Sequence, residues 1–257
     1  ILGSGTSMGV PIAGCSCRVC VSPNPRDKRL RTSAYIKVNN TEILIDTSAD
    51  YRQQMLRAGI RHLDTLLISH AHADHAGGAP AIVQALPVSR ILGGDVERMP
   101  PELPVERCQN GETWTWNEVS FATWIWDQAD ESNPASCVLS VDARGERLLL
   151  TGDIDVDAER AMLADGFDAR AEWLQSPHHG SRSSSSRAFL RAVGAHSVLI
   201  SRGRNNAFGH PHPLVMSRYQ WSGMRVYDRA ESGAITLQLG ARQDASGERQ
   251  SKRFWRD

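Results

Sequence analysis

The sequence predicts an α/β fold in which two β-sheets pack face to face and helices cover their outer faces. The first indication is the order of predicted elements: a strand-rich segment, a helix, a second strand-rich segment, then alternating strands and helices. The second is the continuous apolar run Leu63–Ile68, which is typical of a buried strand. The third is composition, because 257 residues with a hydrophobic fraction of 40% can form a sizeable core. With no internal repeat or linker, we predict one domain over residues 1–240.

The elements of the first half follow from apolar spacing and turn residues. Ala34–Val38 and residues 42–46 predict a hairpin around Asn39 and Asn40. The other predictions, in chain order, are a strand end at 1–8, an inserted cysteine-rich loop at 13–31, a helix at 49–59, the strand Leu63–Ile68, a helix at 78–86, a strand at 90–93 and a proline-rich loop at 99–104.

The second half is predicted in the same way. Residues 112–126 alternate well enough for two strands and hold four of the seven tryptophans. The further predictions are a hairpin of residues 137–141 and 147–151, helices at 155–163, 184–193 (capped by Ser183 or Ser184) and 214–221, and strands at 173–175, 198–201, 225–227 and 234–239. From Ala241 the composition turns polar and charged, so residues 241–257 are predicted to form a loose tail.

Charge and composition limit the possible functions. The 29 basic and 29 acidic side chains cancel, so no global field steers polyanions, although a local basic patch is compatible with this balance. No apolar run approaches the ~18–20 residues of a membrane span. No secretory signal is visible and the chain lacks an initiator methionine, which favours a cytoplasmic protein, a processed product or an excised domain. The odd, clustered set of five cysteines argues against a disulfide framework.

Residues 69–75 place three imidazoles and a carboxylate directly after a predicted buried strand. Such groups are good ligands for zinc, manganese or iron. His70 and His72 alternate, so an extended backbone directs both to one ion, while Asp74 and His75 can turn toward a second ion. Two ions ~3.5–4 Å apart would clamp a bridging hydroxide and the oxygens of an in-line displacement. The segment therefore predicts a metal-dependent hydrolase.

Two later strand ends carry the same side-chain types. Asp153 follows the apolar strand at 147–151 and can bridge two ions through its two oxygens. His178 and His179 follow Trp173–Gln175, so one of them can complete the second metal site while the other contacts substrate.

A proline-rich loop adds two further histidines. His210 or His212 can donate a proton to a leaving group or hold a phosphate oxygen. Arg182, Arg202 and Arg204 lie nearby in the sequence, and a guanidinium fork suits phosphate oxygens. These loops therefore predict a local anion site.

The cysteine-rich loop offers a separate metal site. Cys15, Cys17 and Cys20 fit three corners of a tetrahedral zinc site. The alternative is three reduced thiols in a loop. Candidates for the fourth ligand, which is missing locally, are His210, His212 and Cys108.

These motifs resemble the metallo-β-lactamase fold superfamily. Residues 70–75 match its HxHxDH signature, and residues 44–47 and 151–153 match its flanking elements. The resemblance implies an αββα four-layer sandwich and a two-metal hydrolase, and it covers nearly the whole chain up to about residue 240.

The subfamily resemblance is split at about His72. The part before it, with the cysteine loop, resembles PhnP-type phosphodiesterases, which carry an extra structural zinc there. The part after it resembles the soluble C-terminal domain of the competence protein ComEC, to which nuclease activity toward incoming DNA is assigned, and this implies a membrane-protein context. The ComEC-like segments are residues 76–78, 150–153, 177–181 and 206–211. A natural hybrid and a chimera both fit this pattern.

The chain departs from the superfamily at two places. A further metal-binding histidine usually precedes the bridging aspartate, but residues 132–136 hold none, which leaves Asn133 or water to fill the gap. The PhnP pattern also ends with two histidines after a late strand. Here that strand leads to residues 201–203, Ser-Arg-Gly, so the fourth ligand of the cysteine site is unaccounted for.

The leading hypothesis is phosphodiester hydrolysis through a metal-bound hydroxide, with DNA, in single-stranded form, as the favoured substrate. Two zinc or manganese ions are expected on His70, His72, Asp74, His75, Asp153 and His178. Catalytic roles are expected for Asp74, which orients the hydroxide, and for His179 and His210, which hold substrate or protonate the leaving oxygen. Asp46 is expected to hold a ligand histidine by its far nitrogen, and Arg182, Arg202 and Arg204 to bind substrate.

Three alternatives stay open. The substrate can be a small cyclic phosphodiester, as the PhnP-like start suggests. The reaction can be hydrolysis at carbon, of a lactone, thioester or β-lactam, because fold does not fix function. The domain can also be a non-catalytic metal-binding module. The sequence leaves the oligomeric state open.

Overall fold

The computed structural model describes residues 1–3, 5, 7–203, 206, 208–233 and 235–247, apart from the side chain of Arg26. Arg204 therefore lies outside the described residues. Within them the chain forms a five-stranded sheet, a seven-stranded sheet and a small two-stranded one.

The five-stranded sheet has the order β1-β2-β3-β4-β5. Its strands are β1 (Ala34–Val38), β2 (Thr41–Ile45), β3 (Leu63–Ile68), β4 (Val88–Gly93) and β5 (Glu106–Arg107). Only the first pair is antiparallel, and the predicted hairpin accounts for it. The parallel crossovers contain helices α1 (Tyr51–Ala58), α2 (Ala73–Ala76) and α3 (Ala79–Ala85). A short 3₁₀ helix, Val96–Arg98, lies between β4 and β5.

The seven-stranded sheet has the order β12-β11-β10-β9-β8-β7-β6. Its strands are β6 (Thr113–Trp116), β7 (Val119–Trp124), β8 (Val138–Ala143), β9 (Glu146–Leu150), β10 (Trp173–Gln175), β11 (Ser197–Ile200) and β12 (Arg225–Asp228). The strands from β9 to β12 are parallel, joined through α4 (Val156–Ala164), α5 (Arg187–Val193) and α6 (Pro213–Trp221). Helix α7 (Arg229–Ser232) follows β12.

Three apolar clusters define the layers. One lies between the sheets and includes Ile45, Leu67 and Leu150. A second covers the outer face of the first sheet and a third the outer face of the second, where the helices pack. Alternate residues of one strand enter different clusters, as Leu66 and Leu67 do, because successive side chains point to opposite faces. This arrangement is the predicted αββα sandwich, and the fold class is confirmed.

The tail is better ordered than its composition suggests. Of the strand predicted at 234–239, the described part is β13 (Ile235–Thr236), which pairs with β14 (Ser246–Gly247). Ala245 is buried in a fourth apolar cluster, and the backbone N–H of Arg242 donates to Glu146. Residues 242–247, part of the predicted loose tail, thus make these contacts in the described structure; residues 248–257 lie outside the described part.

One predicted helix is shorter than expected. Helix α5 begins at Arg187, and Ser186 is its cap, accepting from the backbone N–H of Phe189. Ser184 instead donates to the backbone oxygens of Pro177 and Ser181, so it holds the preceding loop rather than starting the helix.

Two of the cysteines form a disulfide that the sequence did not predict. Cys108 and Cys137 lie 29 residues apart in sequence, with Cα atoms 5.9 Å apart. Cys108 extends the first sheet by bonding to Gly93, and Cys137 begins the second, so the bridge depends on how the sheets face each other. Spacing alone does not reveal such a pair.

Among the described helices, none combines the length and the apolarity that crossing a bilayer requires.

Candidate metal centre

The candidate site lies where the carboxyl ends of parallel strands from both sheets meet. Asp46 follows β2 and His70 follows β3 in the first sheet. Asp153 follows β9 and His179 follows β10 in the second. The backbone N–H of Cys137 donates to the carbonyl of Ser69 across the sheets, at 2.9 Å, so the two edges are tied together beside the site.

The HxHxDH segment folds into a tight group. His72 precedes α2 in an extended conformation, so the chain reverses and brings His75 back beside His70, with ring centroids 4.2 Å apart. The Nε2 atom of His70 lies 3.1 Å from Nδ1 of His72. The Nε2 atom of His75 lies 3.5 Å from a carboxylate oxygen of Asp74. The four side chains thus converge as predicted.

A sharp turn after β9 delivers Asp153 to the same point. Gly152 has φ +55°, and a Cβ there would lie 2.8 Å from the side chain of Ser136, so only glycine fits without a shift. The hydroxyl of Ser136 accepts from the backbone N–H of Asp153. The Oδ2 atom of Asp153 is 3.9 Å from Nε2 of His75, which completes the predicted juxtaposition.

The histidines after β10 sit in a strained turn. His178 and His179 both have positive φ, 47° and 55°. Their Nε2 atoms lie 3.8 Å and 3.7 Å from Asp153, so both reach the centre. His179 is buried and its Nδ1 bonds the carbonyl of Ser201 at 2.9 Å. His178 is more exposed, and its Nε2 lies 3.4 Å from the amide nitrogen of Asn133.

Outer hydrogen bonds fix the orientation of the rings. The Nδ1 atom of His75 lies 2.7 Å from the Asp46 carboxylate, which is the contact predicted for Asp46. The hydroxyl of Ser69 lies within 3.2 Å of Asp46, His70 and His75. Sequence reasoning gave Ser69 no role, although its position between the strand and the first histidine was a usable signal.

Burial and charge shift the protonation of these groups. Burial and the neighbouring His75 charge hold the pKa of His70 well below its usual value, so this ring is neutral. Burial alone would lower the pKa of His75, but the Asp46 carboxylate raises it to about 10. Burial would raise the pKa of Asp153, but the charges of His179 and the other histidines hold it below its usual range.

The donor set fits divalent cations. One ligand atom from each of His70, His75 and Asp153 lies within 4.8 Å of the others. In the described part of the chain, Nε2 of His75, Oδ1 of Asp153 and Oδ1 of Asn133 are buried without a hydrogen-bond partner. Buried polar atoms without partners are costly, and a cation that displaces the proton of His75 would satisfy all three.

Of the remaining candidate residues, His210 lies near the centre, whereas His212 and Arg202 make contacts with other parts of the chain. The ring centroid of His210 is 5.8 Å from that of His178, and burial lowers the pKa of His210 to about 4. His212 caps α6, since its Nδ1 accepts from Leu214. Arg202 binds the carboxylate of Asp228, so it does not face the centre as a free cation.

The three clustered cysteines form a second group. The sulfur atoms of Cys15, Cys17 and Cys20 lie within 4.8 Å of one another. Hydrogen bonds, first from the backbone N–H of Cys20 and then from the neighbouring thiols, lower the pKa of Cys17 to about 7. Neither predicted histidine belongs to this group as far as the structure describes the chain, and Cys108 is wrong as a fourth ligand because Cys137 binds it.

Comparison with known proteins agrees with this geometry. The model of the metallo-beta-lactamase superfamily matches residues 26–204, and the chain belongs to that superfamily, as the motifs predicted. Competence protein ComA of Neisseria gonorrhoeae is 32% identical over 219 residues, which are 81% of this chain and 31% of ComA. Recombination protein 2 of Haemophilus influenzae is 32% identical over 213 residues, 77% of this chain and 26% of that protein. The chain thus spans less than a third of the length of these relatives.

A solved structure shares the fold. The crystal structure of a diphosphatase from the PhnP family superposes with a TM-score of 0.59 at 23% identity, over 88% of this chain and 92% of that one. The two families to which the sequence showed resemblance, competence proteins and PhnP, therefore both have a counterpart among the similar proteins.

Proposed function

We propose that the protein is a metal-dependent phosphodiesterase that cleaves nucleic acid, with single-stranded DNA as the preferred substrate. The observation that supports this most directly is the convergence of His70, His75 and Asp153 at the junction of the two sheets. The names of its relatives, a competence protein and a recombination protein, favour DNA over a small ester.

The residues divide into two ligand sets for zinc or manganese. His70, His72 and Asp153 would hold one ion, with the oxygen of Asn133 available where a third histidine is absent. Asp74, His75 and Asp153 would hold the other. When bound, such ions make water more acidic and offset charge that develops on phosphoryl oxygens.

His179 is a better ligand for the second ion than His178. The carbonyl of Ser201 fixes the proton on Nδ1 of His179 and leaves the Nε2 lone pair directed toward Asp153. His178 is half-open to solvent and lies between Asn133 and His210. We therefore exchange the roles that the sequence suggested, so that His178 contacts the substrate.

The other side chains orient a ligand or contact the substrate. Asp46 holds Nδ1 of His75, which keeps Nε2 of that ring aimed at the centre. His210 is neutral at pH 7 because burial lowers its pKa to about 4, which favours holding a phosphate oxygen through a ring N–H over donating a proton to the leaving oxygen. Arg182 is exposed, has no carboxylate within 4.0 Å in the described structure, and is free to contact a phosphate.

The test is turnover of bis-p-nitrophenyl phosphate and of a 5′-labelled single-stranded oligonucleotide with manganese and with zinc. The matched variants are D153N, at the centre, and D157N, an exposed aspartate that pairs with Arg160. We expect both substrates to be cleaved by the wild type and by D157N but not by D153N. Absence of diester turnover with either metal would refute the proposal.

Two further measurements identify the substrate: the dependence of binding on salt concentration, and turnover of other classes of ester. Binding of single-stranded DNA should weaken steeply with ionic strength, because bound cations are released from the phosphates. A flat salt profile would exclude DNA and leave a small diester. Turnover of lactones, thioesters or β-lactams without turnover of diesters would assign the centre to hydrolysis at carbon.

A further inference from the structure

One long stretch of this neutral protein contains arginines but no acidic residue. Residues 173–227 contain seven arginines and no lysine, aspartate or glutamate, although the whole chain has 29 basic and 29 acidic residues. Two of the seven are neutralised by acids outside the stretch, Arg202 by Asp228 and Arg225 by Asp244. Within the described residues, Arg182, Arg187, Arg191 and Arg218 have no carboxylate within 4.0 Å.

Three of the unpaired arginines line one groove. The groove, of about 560 Å³, lies between α5 and α6, with Arg187, Arg191, Arg218 and Trp221 on its walls and buried apolar side chains, such as Leu190, on its floor. Trp221 is 69% exposed. The guanidinium of Arg187 lies over one face of its ring, 4.7 Å from the centroid.

The arginines and the tryptophan of the groove suit the phosphates and the bases of a single strand of nucleic acid. Guanidinium groups bind phosphate oxygens, and an exposed indole offers a stacking surface to an unpaired base. The partner must be anionic, because no acidic residue lines the groove. A single strand fits better than a duplex, whose bases are already stacked and leave no face for Trp221.

Hydrogen bonds connect one wall of the groove to the loop that carries His178. Nη1 of Arg218 donates to the carbonyl of Ser184 at 2.8 Å, and the Ser184 hydroxyl donates to the carbonyl of Pro177, next to His178. The loop after His178 therefore contributes to both regions, with Arg182 exposed between them in sequence.

We propose that the groove between α5 and α6 binds single-stranded nucleic acid, with a base on Trp221 and phosphates on Arg191 and Arg218. The inference rests on the proposed function for the view that the bound strand is the substrate, but binding in the groove is measurable without catalysis. It places a second contact for the substrate away from the metal centre.

The experiment is fluorescence anisotropy of a labelled oligothymidylate in EDTA, titrated with the full chain across a range of salt concentrations. The variants are W221A, W221F and R191Q, and the control is R160Q, an exposed arginine of α4 that pairs with Asp157. We expect W221A to weaken binding about tenfold and W221F by less, because phenylalanine still stacks. R191Q should reduce the slope of log K against log salt by about 0.7, the loss of one phosphate contact on a single strand. R160Q should match the wild type.

If W221A and R191Q both keep the wild-type affinity and salt slope, the proposal that the groove binds nucleic acid is refuted. It is also refuted if these variants lose binding to phosphatidylglycerol vesicles or to polyglutamate while oligonucleotide binding stays intact, because the partner would then be a membrane or an acidic protein. The ratio of oligonucleotide turnover to bis-p-nitrophenyl phosphate turnover separates binding in the groove from hydrolysis at the metal centre. A groove variant should lower the first rate and leave the second unchanged. If the groove variants lose binding but the wild type cleaves no diester, nucleic-acid binding in the groove is supported and the proposed hydrolase function is refuted.

Discussion

The histidine–aspartate centre and the cysteine loop both gather metal-ligand side chains, but they are held by different means. In the centre, the ring nitrogens are held by hydrogen bonds to Asp46, to Ser69 and to the carbonyl of Ser201, each of which directly follows a strand of one of the two packed sheets. In the loop, Cys17 is exposed and the nearest regular element is the three-residue 3₁₀ helix Pro25–Asp27. The centre is therefore shaped by the fold, whereas we expect the cysteine loop to become rigid only when a metal ion binds to it.

The largest effect should come from the carboxylate that joins the two ligand sets. D153N keeps the size of the side chain but removes the charge and one strong ligand atom. We expect the rate of diester hydrolysis to fall by about a hundredfold or more, with loss of metal measured by elemental analysis. The D157N control should keep both. Full activity in D153N would show that the centre is not where the reaction occurs.

The next effect tests whether the outer hydrogen bonds shape the centre. D46N replaces the acceptor that holds His75, and loss of such a partner costs about 10- to 100-fold in metal affinity. The measurement is competition with a chelator of known affinity. Zinc binding by the three cysteines, measured in the same way, is the internal control, because D46N should leave it unchanged. Equal loss at both sites would contradict the distinction drawn between them.

A buried carboxyl beside the start of α5 should produce a pH effect. Glu159 is buried and accepts from the backbone N–H groups of Ser185 and Ser186, and burial raises its pKa from 4.5 to about 7. Because the folded pKa is above the unfolded one, its stabilisation is complete below pH 4.5 and is lost as the pH rises through about 7.

The difference in unfolding free energy between the wild type and E159Q should therefore shrink by at most about 3 kcal/mol as the pH rises from 4.5 to 8. Urea titrations at fixed pH values measure it. A difference that is constant with pH would show that Glu159 does not titrate in this range.

The smallest effect on catalysis should come from the cysteine loop. C15S/C17S/C20S removes the three sulfur ligands, so one zinc per chain should be lost and residues 13–31 should become more sensitive to protease. The rate of diester hydrolysis should stay at the wild-type value, because the loop lies outside the ligand sets of the centre. A parallel fall in activity would link the two sites.

The part of the site that follows from strand ends was predictable from sequence. His70 and Asp153 follow the recognisable apolar strands β3 and β9, and His75 lies in the short helix α2 just after His70. The carboxyl ends of parallel strands meet at one edge of a sheet, so these positions could be placed together from the sequence. The roles of His178 and His179 were not predictable, because both lie in a turn with positive φ whose geometry depends on the carbonyl of Ser201.

Other differences arose from contacts between distant segments. Cys108 meets Cys137 only because the two sheets pack face to face, and Arg202 meets Asp228 only because β11 and β12 are neighbours. The tail beyond Ala241 pairs with β13 although its composition is polar. Long-range pairing of this kind leaves no local pattern to read.

Anomalous diffraction from zinc-soaked crystals of the full chain would show whether side chains from the two sheets form one metal centre. We predict anomalous density within ligand distance of Nε2 of His75 and the carboxylate of Asp153, in addition to any on the cysteine loop. Density on the cysteines alone, with the histidine rings and Asp153 carrying no metal, would contradict the account.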